Sequence, residues 1–271
     1  MKIAFIGGGN MAKAIIKGLL KQNIDPNNLL VIDTNETARQ AIRNQNIQCQ
    51  AEISDQLKQY DVIFLAIKPD KIQLISRAIT PFISQSLIIS IAAGIHLSDI
   101  TRWLGGHTRV IRAMPNTPAT ITRGMTALIA NPQVNETDRS EVTQLMETIG
   151  QVIWCIDDQQ IDKVTAISGS GPAYVLYFIE ALQAAAIHLG LPNDMAQQLT
   201  LATFSGAIQL ANNSSETPAT LRRNVTSPNG TTDAAIQVFI QEKLQKIIEK
   251  GAQAAFTRAC EMSNEFGEDS A

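Results

Sequence analysis

The sequence predicts an α/β protein in which a doubly wound, mostly parallel sheet is followed by an all-α domain. Short apolar runs rich in β-branched residues alternate with helical patterns up to residue 156, as in sheets that carry helices on both faces. A glycine-rich turn joins the first apolar run to the first helical pattern. No convincing strand pattern follows Asp157 and Asp158. We therefore expect a sheet domain over residues 1–156 and a helical domain over residues 157–271.

The composition fits two globular domains and argues against several kinds of partner. The chain has 271 residues, of which 45% are hydrophobic and 17% charged, and its net charge is −3. It has no basic excess for nucleic acid or an anionic membrane surface. The cysteines lie far apart in sequence, which indicates neither a disulfide framework nor a metal site. The longest apolar run, residues 87–95, is too short to span a bilayer. With no leader pattern, we expect a cytoplasmic protein.

The first strand and helix carry a dinucleotide-binding pattern. Residues 2–6 form a short apolar strand, and the sequence then reads Gly-Gly-Gly-Asn-Met-Ala before a helical pattern. In this Gly-x-Gly-x-x-Ala arrangement Gly7 allows a tight turn and Gly9 allows the backbone to approach a pyrophosphate. Ala12 allows the helix to pack closely on the sheet. The pattern favours a Rossmann-type NAD(P) site over a glycine turn without a ligand.

An acidic residue ends the second strand, where a cofactor ribose is usually held. The apolar run Leu29–Ile32 is followed by Asp33, about 20 residues beyond the glycine pattern, where a carboxylate accepts a hydrogen bond from the ribose 2′-hydroxyl. This position favours NADH. Thr34, Asn35 and Thr37 could nevertheless cradle a 2′-phosphate, so NADPH and NADH both stay open.

The later elements of the sheet domain follow in order. Strand patterns cover residues 47–51, 61–67, 87–92 and 109–114, and each of the last three is followed by a loop or turn segment. Ligands of doubly wound sheets bind outside the carboxyl ends of the strands. The residues at such ends include Lys68, Pro69, Ala92, Ala93, Gly94 and the loop Met114–Pro118. Residues 125–130, 136–149 and 151–156 read as added elements that close the domain.

The second half of the chain is predicted to be helical. A long pattern over residues 161–189 is interrupted by Ser-Gly-Ser-Gly-Pro at residues 168–172, where the proline should bend or break the helix. Further helices are expected at residues 192–212 and 217–224, and one or two at residues 232–266. These helices would expose apolar faces as a monomer, which favours a homodimer. The three histidines, His96, His107 and His188, form no catalytic pattern and are assigned surface or capping roles.

The loop before the last helical region predicts an anion site. Pro228, Asn229 and Gly230 favour a turn. Thr231 and Thr232 can cap the following helix. Backbone N–H groups at such a helix start bind carboxylates or phosphates, and Ser227 adds a hydroxyl. Taken alone, the loop is better explained as a capped helix after a tight turn, because helix caps far outnumber substrate sites.

Several segments together carry a family resemblance. They are residues 6–12 (IGGGNMA), 66–69 (AIKP), 90–94 (SIAAG), 112–118 (RAMPNTP), 168–174 (SGSGPAY) and 225–232 (VTSPNGTT). With these motifs the chain resembles the pyrroline-5-carboxylate reductase family over nearly its whole length. It departs from the family pattern at Asn229, where glycine is usual, and in the last helical region, where Ile240, Lys243 and Leu244 stand in place of an acid followed by Gly-Phe.

The resemblance implies a reaction and a set of site residues. The family reduces the cyclic imine 1-pyrroline-5-carboxylate to L-proline with NADPH or NADH, the last step of proline biosynthesis. Members form dimers through the helical domain, often assembled into decamers. The implied substrate site comprises Ser227, Asn229, Gly230, Thr231 and Thr232, with Thr232 either donating a proton to the imine nitrogen or positioning the substrate. The implied cofactor site comprises Ile6, Gly7, Gly9, Asn10, Met11, Ala12, Asp33, Thr34, Ala66, Ile67, Lys68, Pro69, Ala92, Ala93, Gly94 and Asn116.

Two other functions stay open at this stage. β-Hydroxyacid dehydrogenases share a similar glycine-rich start and a helical second domain, but they carry a catalytic lysine four residues after a helix glycine. Here Val175 follows Gly171 at that spacing, and the sequence has no lysine between Lys163 and Lys243. A non-catalytic NAD(P)-binding regulatory module is the other alternative, and the intact loop at residues 227–232 argues against it.

Overall fold

A computed structural model of the chain describes residues 1–83 and 85–267. It contains one sheet, in the order β3-β2-β1-β4-β5-β6-β7-β8. The strands are β1 (Ile3–Ile6), β2 (Leu29–Ile32), β3 (Gln48–Gln50), β4 (Val62–Leu65), β5 (Leu87–Ser90), β6 (Val110–Pro115), β7 (Gly124–Ala130) and β8 (Gly150–Trp154). Neighbouring strands run parallel except at β6–β7, which is antiparallel. The predicted doubly wound, mostly parallel sheet is confirmed.

Helices alternate with the strands and then follow without further strands in the described chain. The helices are α1 (Asn10–Lys21), α2 (Glu36–Arg43), α3 (Pro69–Ile79), α4 (Leu97–Trp103), α5 (Glu136–Glu147), α6 (Asp158–Val164), α7 (Gly171–His188), α8 (Asn193–Asn212), α9 (Pro218–Asn224), α10 (Thr231–Gln241) and α11 (Leu244–Gly267). A π-helical turn, Thr165–Gly169, lies between α6 and α7. Among the helices that the structure describes, none is long and apolar enough to cross a membrane.

Two hydrophobic clusters cover the two faces of the sheet. Alternate residues of one strand point to opposite faces, so Ile3 and Phe5 of β1 lie in one cluster and Ala4 and Ile6 in the other. All four residues are buried because the strand is central and helices lie on both sides. The rings of Phe5 and Phe64 stack with centroids 4.8 Å apart on the first face. Because β1 is held firmly in the sheet, the glycine turn that follows it has a fixed position at the carboxyl end of the strand.

By its internal contacts the chain divides into two units. One comprises Met1–Ser170 together with the chain from Ala255 on, and the other comprises Gly171–Ala254. Helix α6 belongs to the first unit because Ile161 is fully buried in the second cluster of the sheet. This division falls later than the expected boundary between residues 156 and 157. Where the dimerisation and substrate-binding domain begins stays a prediction, and residues 268–271 of that expected domain lie outside the described residues.

The long helical region after residue 230 is two helices. Helix α10 ends at Gln241 and α11 begins at Leu244. Lys243 between them has φ +55°, a left-handed conformation that no α-helix continues through. The interruption predicted at residues 168–172 is also present, because the π-helical turn precedes α7 and Pro172 is the second residue of that helix. Proline is tolerated there because the first turn of a helix has no internal acceptor for its N–H groups.

Candidate active site

The turn between β1 and α1 is built from small residues with different duties. Gly7 has φ +101°, and an added Cβ would lie 2.3 Å from the carbonyl oxygen of Ala66, so the turn accepts no side chain here. At Gly9 an added Cβ would meet no atom within 4 Å in the described part of the chain. Ala12 is buried against the sheet. The space that a side chain of Gly9 would occupy is therefore open, whereas the corresponding space at Gly7 is filled by Ala66 and Ile67.

This arrangement fits a dinucleotide pyrophosphate. Gly9 is the N-cap of α1 and is itself exposed. The first N–H groups of a helix have no internal acceptor and lie at the positive end of its dipole. Here they belong to Asn10, Met11 and Ala12, and they can donate to phosphate oxygens approaching the open side of Gly9. The glycine turn thus has the local geometry that the predicted pyrophosphate site requires.

Asp33 connects the glycine turn to the start of α2. Its Oδ2 accepts a hydrogen bond from the backbone N–H of Gly8 at 2.7 Å, and its Oδ1 accepts one from Asn35 at 2.8 Å. Asn35 in turn caps α2 by accepting from the N–H of Ala38 at 3.1 Å. An ionised carboxylate has about four acceptor positions, so these two bonds leave room for a ribose hydroxyl. Sequence reasoning missed this structural duty of Asp33.

The other predicted cofactor residues lie at the same edge of the sheet. β1 is hydrogen-bonded to both β2 and β4, and β5 follows β4, so the chain reverses its winding direction beside the glycine turn. The backbone N–H of Ala66 donates to the carbonyl of Ile6 at 2.8 Å. The side chain of Ile67 faces Gly7, Lys68 is exposed and Pro69 begins α3. Ala92, Ala93 and Gly94 follow β5. The structure thus brings the residues predicted at these strand ends to one edge.

Gly94 is covered by the end of α11. It has φ +70°, and an added Cβ would lie 2.9 Å from the Cβ of Met262. Phe266 packs near the same position and against the second cluster of the sheet. In addition, Nη2 of Arg102 donates to the carbonyl oxygen of Gly267 at 2.7 Å. Packing by the last helix therefore supports the loop after β5.

Asn116 makes several hydrogen bonds within the protein. Its Nδ2 donates to the carbonyl oxygen and to the Oγ of Ser168, both at 3.1 Å, and its Oδ1 accepts from the N–H of Met125 at 2.9 Å. The side chain therefore joins the end of β6, the start of β7 and the π-helical turn. Its predicted contact with the cofactor stays a prediction.

Arg112 of β6 forms a charge cluster with Asp158, Asp162 and His96. This cluster was not predicted from the sequence. Arg112, only 1% exposed, contacts Asp158 at 2.6 Å and Asp162 at 2.9 Å. The Nε2 of His96 lies 3.2 Å from the other oxygen of Asp162, and the N–H of Leu97 donates to Asp158 at 3.2 Å. The cluster fixes α6, and hence the π-helical turn, against β6 and α4.

The cluster shifts the pKa values of two of its members. The hydrogen bond to Asp162 raises the pKa of His96 above its ordinary value, against the opposing effect of burial. Burial raises the pKa of Asp162, but the hydrogen bonds and charges of His96 and Arg112 outweigh it and the net shift is downward. His96 also occupies the N-cap position of α4. The surface or capping role assigned from the sequence thus omits its main contact.

The predicted substrate loop is an exposed turn at the start of α10. The N–H of Gly230 donates to the carbonyl of Ser227 at 2.9 Å, and the N–H of Asn229 donates to Oδ2 of Asp233 at 3.1 Å. Asn229 has φ +57°, a conformation that asparagine tolerates better than most side chains. This explains how it replaces the glycine that is usual in the resembling family.

The helix cap in this loop differs from the sequence expectation. Gly230 is the N-cap, and Thr231 and Thr232 are the first two residues of α10, so the prediction that these threonines cap the helix is wrong. The reason is the turn itself: Asn229 takes the left-handed conformation and Gly230 the extended one that a cap requires. Ser227, Asn229, Thr231 and Thr232 are exposed. The hydroxyls of Ser227, Thr231 and Thr232 are therefore accessible to a ligand, as is the start of α10.

Comparison with known proteins gives matches over nearly the whole chain. Residues 158–262 match the family model described as pyrroline-5-carboxylate reductase dimerisation, and residues 2–94 match the model described as NADP oxidoreductase coenzyme F420-dependent. A pyrroline-5-carboxylate reductase of Pseudomonas aeruginosa is 39% identical over 269 residues, covering 98% of both chains. The solved structure of such an enzyme from Coxiella burnetii has 37% identity and a TM-score of 0.91, covering 97% of this chain and 98% of that one.

A further solved structure bears on the cofactor. The pyrroline carboxylate reductase of Plasmodium falciparum, solved with NADP bound, is 28% identical and has a TM-score of 0.86. The match covers 97% of this chain and 98% of that chain. The similarity therefore extends over both the sheet and the helices.

Proposed function

Because the chain belongs to the pyrroline-5-carboxylate reductase family, we propose that its loop at residues 227–232 holds 1-pyrroline-5-carboxylate and its glycine turn holds NAD(P)H. The chain is an NAD(P)H-dependent reductase that converts this cyclic imine to L-proline. The family assignment favours this reaction over hydroxyacid oxidation and over non-catalytic NAD(P) binding. One observation carries the residue assignment: the loop presents accessible hydroxyls and helix N–H groups beside a glycine cap.

The substrate carboxylate matches the start of α10. The first N–H groups of this 11-residue helix point out of its N-terminus, where an anion is favoured by the unpaired donors and the helix dipole. Ser227 supplies a hydroxyl donor at the same turn. An added Cβ at Gly230 would lie 3.0 Å from the Ser227 carbonyl oxygen, so the tight turn that carries these donors favours glycine at this position.

Thr232 is the residue that we assign to the reacting bond. It is the second residue of α10, within the first turn whose N–H groups bind the carboxylate. Its hydroxyl donates a hydrogen bond to the ring nitrogen, which orients the C=N bond and stabilises the nitrogen as it gains a proton. The cofactor, when bound, supplies the hydride to the imine carbon. The protein's own contribution is orientation, and no nucleophile is required.

The cofactor residues are assigned by the local fit at the sheet edge. Gly9 leaves open space at the start of α1, and the filled space behind Gly7 keeps the turn tight. The backbone at Asn10, Met11 and Ala12 holds the pyrophosphate, and Asp33 and Thr34 face the ribose. The remaining contacts are assigned to Ile6, Ala66, Ile67, Lys68, Pro69, Ala92, Ala93, Gly94 and Asn116.

The helical region serves oligomerisation. The family model that matches residues 158–262 is named for dimerisation. Large apolar side chains of these helices are exposed in the single chain, including Leu176 (64%), Tyr177 (67%) and Ile240 (59%). Burying such faces in a homodimer removes them from water at a gain of about 25 cal/mol per Å². We assign the dimer interface to this region, with a decamer as a higher assembly and the cytoplasm as location.

A turnover assay tests the proposed reaction. The purified chain is mixed with NADPH or NADH and 1-pyrroline-5-carboxylate, and absorbance at the nicotinamide band is followed while proline is quantified. A parallel reaction contains NAD(P)+ and 3-hydroxyacids. Cofactor oxidation matched by equal formation of proline supports the proposal. Reduction of NAD(P)+ by hydroxyacids alone, or no turnover in either reaction, contradicts it.

A further inference from the structure

Two arginines of α2 share one carboxylate, that of Glu36 at the first position of the helix. Nη2 of Arg39 and Nη1 of Arg43 both bind Glu36, the first through Oε2 and the second through Oε1 at 2.6 Å. Nη1 of Arg39 also donates to the main-chain carbonyl of Asp33 at 2.5 Å. The two hydrogen bonds, from Arg43 and Arg39, lower the pKa of Glu36. Glu36 is therefore ionised and occupies donors of both guanidinium groups.

This cluster adjoins the place where the two cofactors differ. Asp33 directly follows β2 and accepts a hydrogen bond from the N–H of Gly8 in the glycine turn. In a dinucleotide-binding sheet, this position faces the 2′-oxygen of the adenosine ribose. NADPH and NADH differ only by a phosphate on that oxygen. Arg39 donates to the main-chain carbonyl of Asp33, so its guanidinium is bonded to the backbone of the residue that we assign to this ribose.

The charges of the cluster cancel while Glu36 is ionised. Arg39 and Arg43 contribute two positive charges, and Asp33 and Glu36 contribute two negative charges. A 2′-phosphate would have to displace the carboxylate of Glu36 from both arginines and would then remain next to it. Arginine binds phosphate strongly through parallel N–H donors, whereas a nearby like charge disfavours the same anion.

We propose that Glu36 is a specificity-determining residue that favours NADH, because it occupies the two arginines that would otherwise bind the 2′-phosphate of NADPH. This inference rests on the proposed cofactor site and adds a residue and a direction of preference to it. Glu36 and Arg43 are 60% and 41% exposed. Arg39 is 11% exposed. The pair between Glu36 and Arg43 contributes little to folding at their exposure, and Asn35 still caps α2 through the N–H of Ala38, so the helix tolerates replacement of the carboxylate.

The chain contains a matched control for this substitution. Asn-Glu-Thr-x-Arg occurs at residues 35–39 and again at residues 135–139. At the second place Asn135 caps α5 by accepting from the N–H of Asp138 at 2.8 Å, and Glu136 lies 3.9 Å from Arg139. Glu136→Gln therefore removes the same charge from the same helix position, in a helix that follows β7 instead of β2.

The experiment measures binding without turnover. Isothermal titration gives the Kd of adenosine 2′,5′-bisphosphate and of adenosine 5′-monophosphate, which differ only by the 2′-phosphate, for the wild-type chain, Glu36→Gln, Glu136→Gln and Glu36→Gln/Arg43→Gln. We expect Glu36→Gln to favour the bisphosphate over the monophosphate by about tenfold more than the wild type does, as for one added charged hydrogen bond. Glu136→Gln should leave the ratio unchanged, and the added Arg43→Gln should remove most of the gain.

The possible outcomes separate this inference from the proposed function. An unchanged ratio in Glu36→Gln, with the monophosphate still bound, overturns the role of Glu36 and leaves the cofactor site in place. An equal gain in Glu136→Gln overturns it as well, because the effect would then come from net charge. Failure of both nucleotides and of NADH to bind any variant overturns the cofactor site itself and, with it, this inference.

Discussion

Adding one methyl group at Gly9 should weaken cofactor binding while leaving the fold intact. Gly9 has φ −69° and ψ −176°, a conformation open to alanine. The added Cβ would meet no described atom within 4 Å. Replacing a glycine N-cap by alanine destabilises the helix, whereas alanine stabilises the fold by lowering the entropy of the unfolded chain. Because these effects oppose each other, the free energy of unfolding should change by less than about 1 kcal/mol.

The expected loss of affinity follows from where that methyl group points. It would occupy the space in which the pyrophosphate approaches the start of α1. Displacing the phosphate from one charged hydrogen bond costs about 1.5–3 kcal/mol, which is roughly 10–150-fold in Kd. Gly9→Ala should therefore raise the Kd of NADH at least about tenfold, measured by quenching of protein fluorescence.

Gly7→Ala is the matched variant, and we expect it to lower the stability of the fold, which Gly9→Ala should leave intact. The φ of +101° at Gly7 is unfavourable for alanine and costs about 1–2 kcal/mol of backbone strain. The added Cβ would also lie 2.3 Å from the Ala66 carbonyl oxygen, an overpacking that costs about 1–3 kcal/mol. The resulting loss of about 2–5 kcal/mol should lower Tm by roughly 5–15 °C in calorimetry. Wild-type affinity for NADH in Gly9→Ala, or an unchanged Tm in Gly7→Ala, would contradict these assignments of the two glycines.

Four further predictions concern the charge cluster, His107 and the substrate loop. Arg112→Met should lower the free energy of unfolding by about 3–5 kcal/mol in urea because it removes the guanidinium that pairs the buried Asp162 and the partly exposed Asp158. The exposed Lys71→Met should cost less than about 1 kcal/mol, and equal losses would contradict this. The raised pKa of His96 predicts that wild type exceeds His96→Gln in stability below the ordinary histidine pKa of 6.5 and that this advantage disappears as the pH rises through the raised value. His107, whose pKa is lowered by burial, should show the opposite trend, with stability lost as the pH falls. Ser227→Ala should raise KM for 1-pyrroline-5-carboxylate by about tenfold with kcat unchanged, and a fall in kcat alone would contradict its role in binding the carboxylate.

Local patterns were sufficient to predict most of the sheet. The glycine turn, Asp33 and the later strand ends follow from apolar runs that are bounded by glycine and proline. The sequence did not indicate that β7 would pair antiparallel to β6, because residues 124–130 carry the same apolar pattern as a parallel strand. Direction depends on the connection, here the short turn over residues 117–121, which leaves no length for a crossover helix.

The buried cluster could not be predicted because its members are distant in sequence. Arg112 is 46 residues from Asp158 and 50 from Asp162, and each residue alone reads as an ordinary surface charge. Only the packing of α6 on β6 removes them from water. The break at Lys243 was likewise left open, since lysine is a good helix former and its left-handed conformation is not indicated by residue type.

The turn and the helix around Gly230 were predicted from the sequence, but the capping residue was not. The residue types predicted a turn and a helix with an anion site, and the structure has both the turn and the helix. The threonines were expected to cap the helix, but they lie inside it, and their hydroxyls are accessible to a ligand. The correction shifts the cap by one residue and supports the assignment of Thr232 to the substrate.

Steady-state kinetics of Thr232→Val and Thr232→Ser test the central claim most directly. Valine keeps the shape of threonine and removes the hydroxyl, whereas serine keeps the hydroxyl. If the hydroxyl is the proton donor, we expect valine to lower kcat/KM for 1-pyrroline-5-carboxylate by about 10²–10⁴-fold. If the hydroxyl only orients the imine, valine should remove about 1–3 kcal/mol of transition-state stabilisation. Serine should retain most of the activity, and the Kd of NADH should be unchanged in both variants. Wild-type turnover by Thr232→Val would remove this residue from the mechanism and contradict the proposed site.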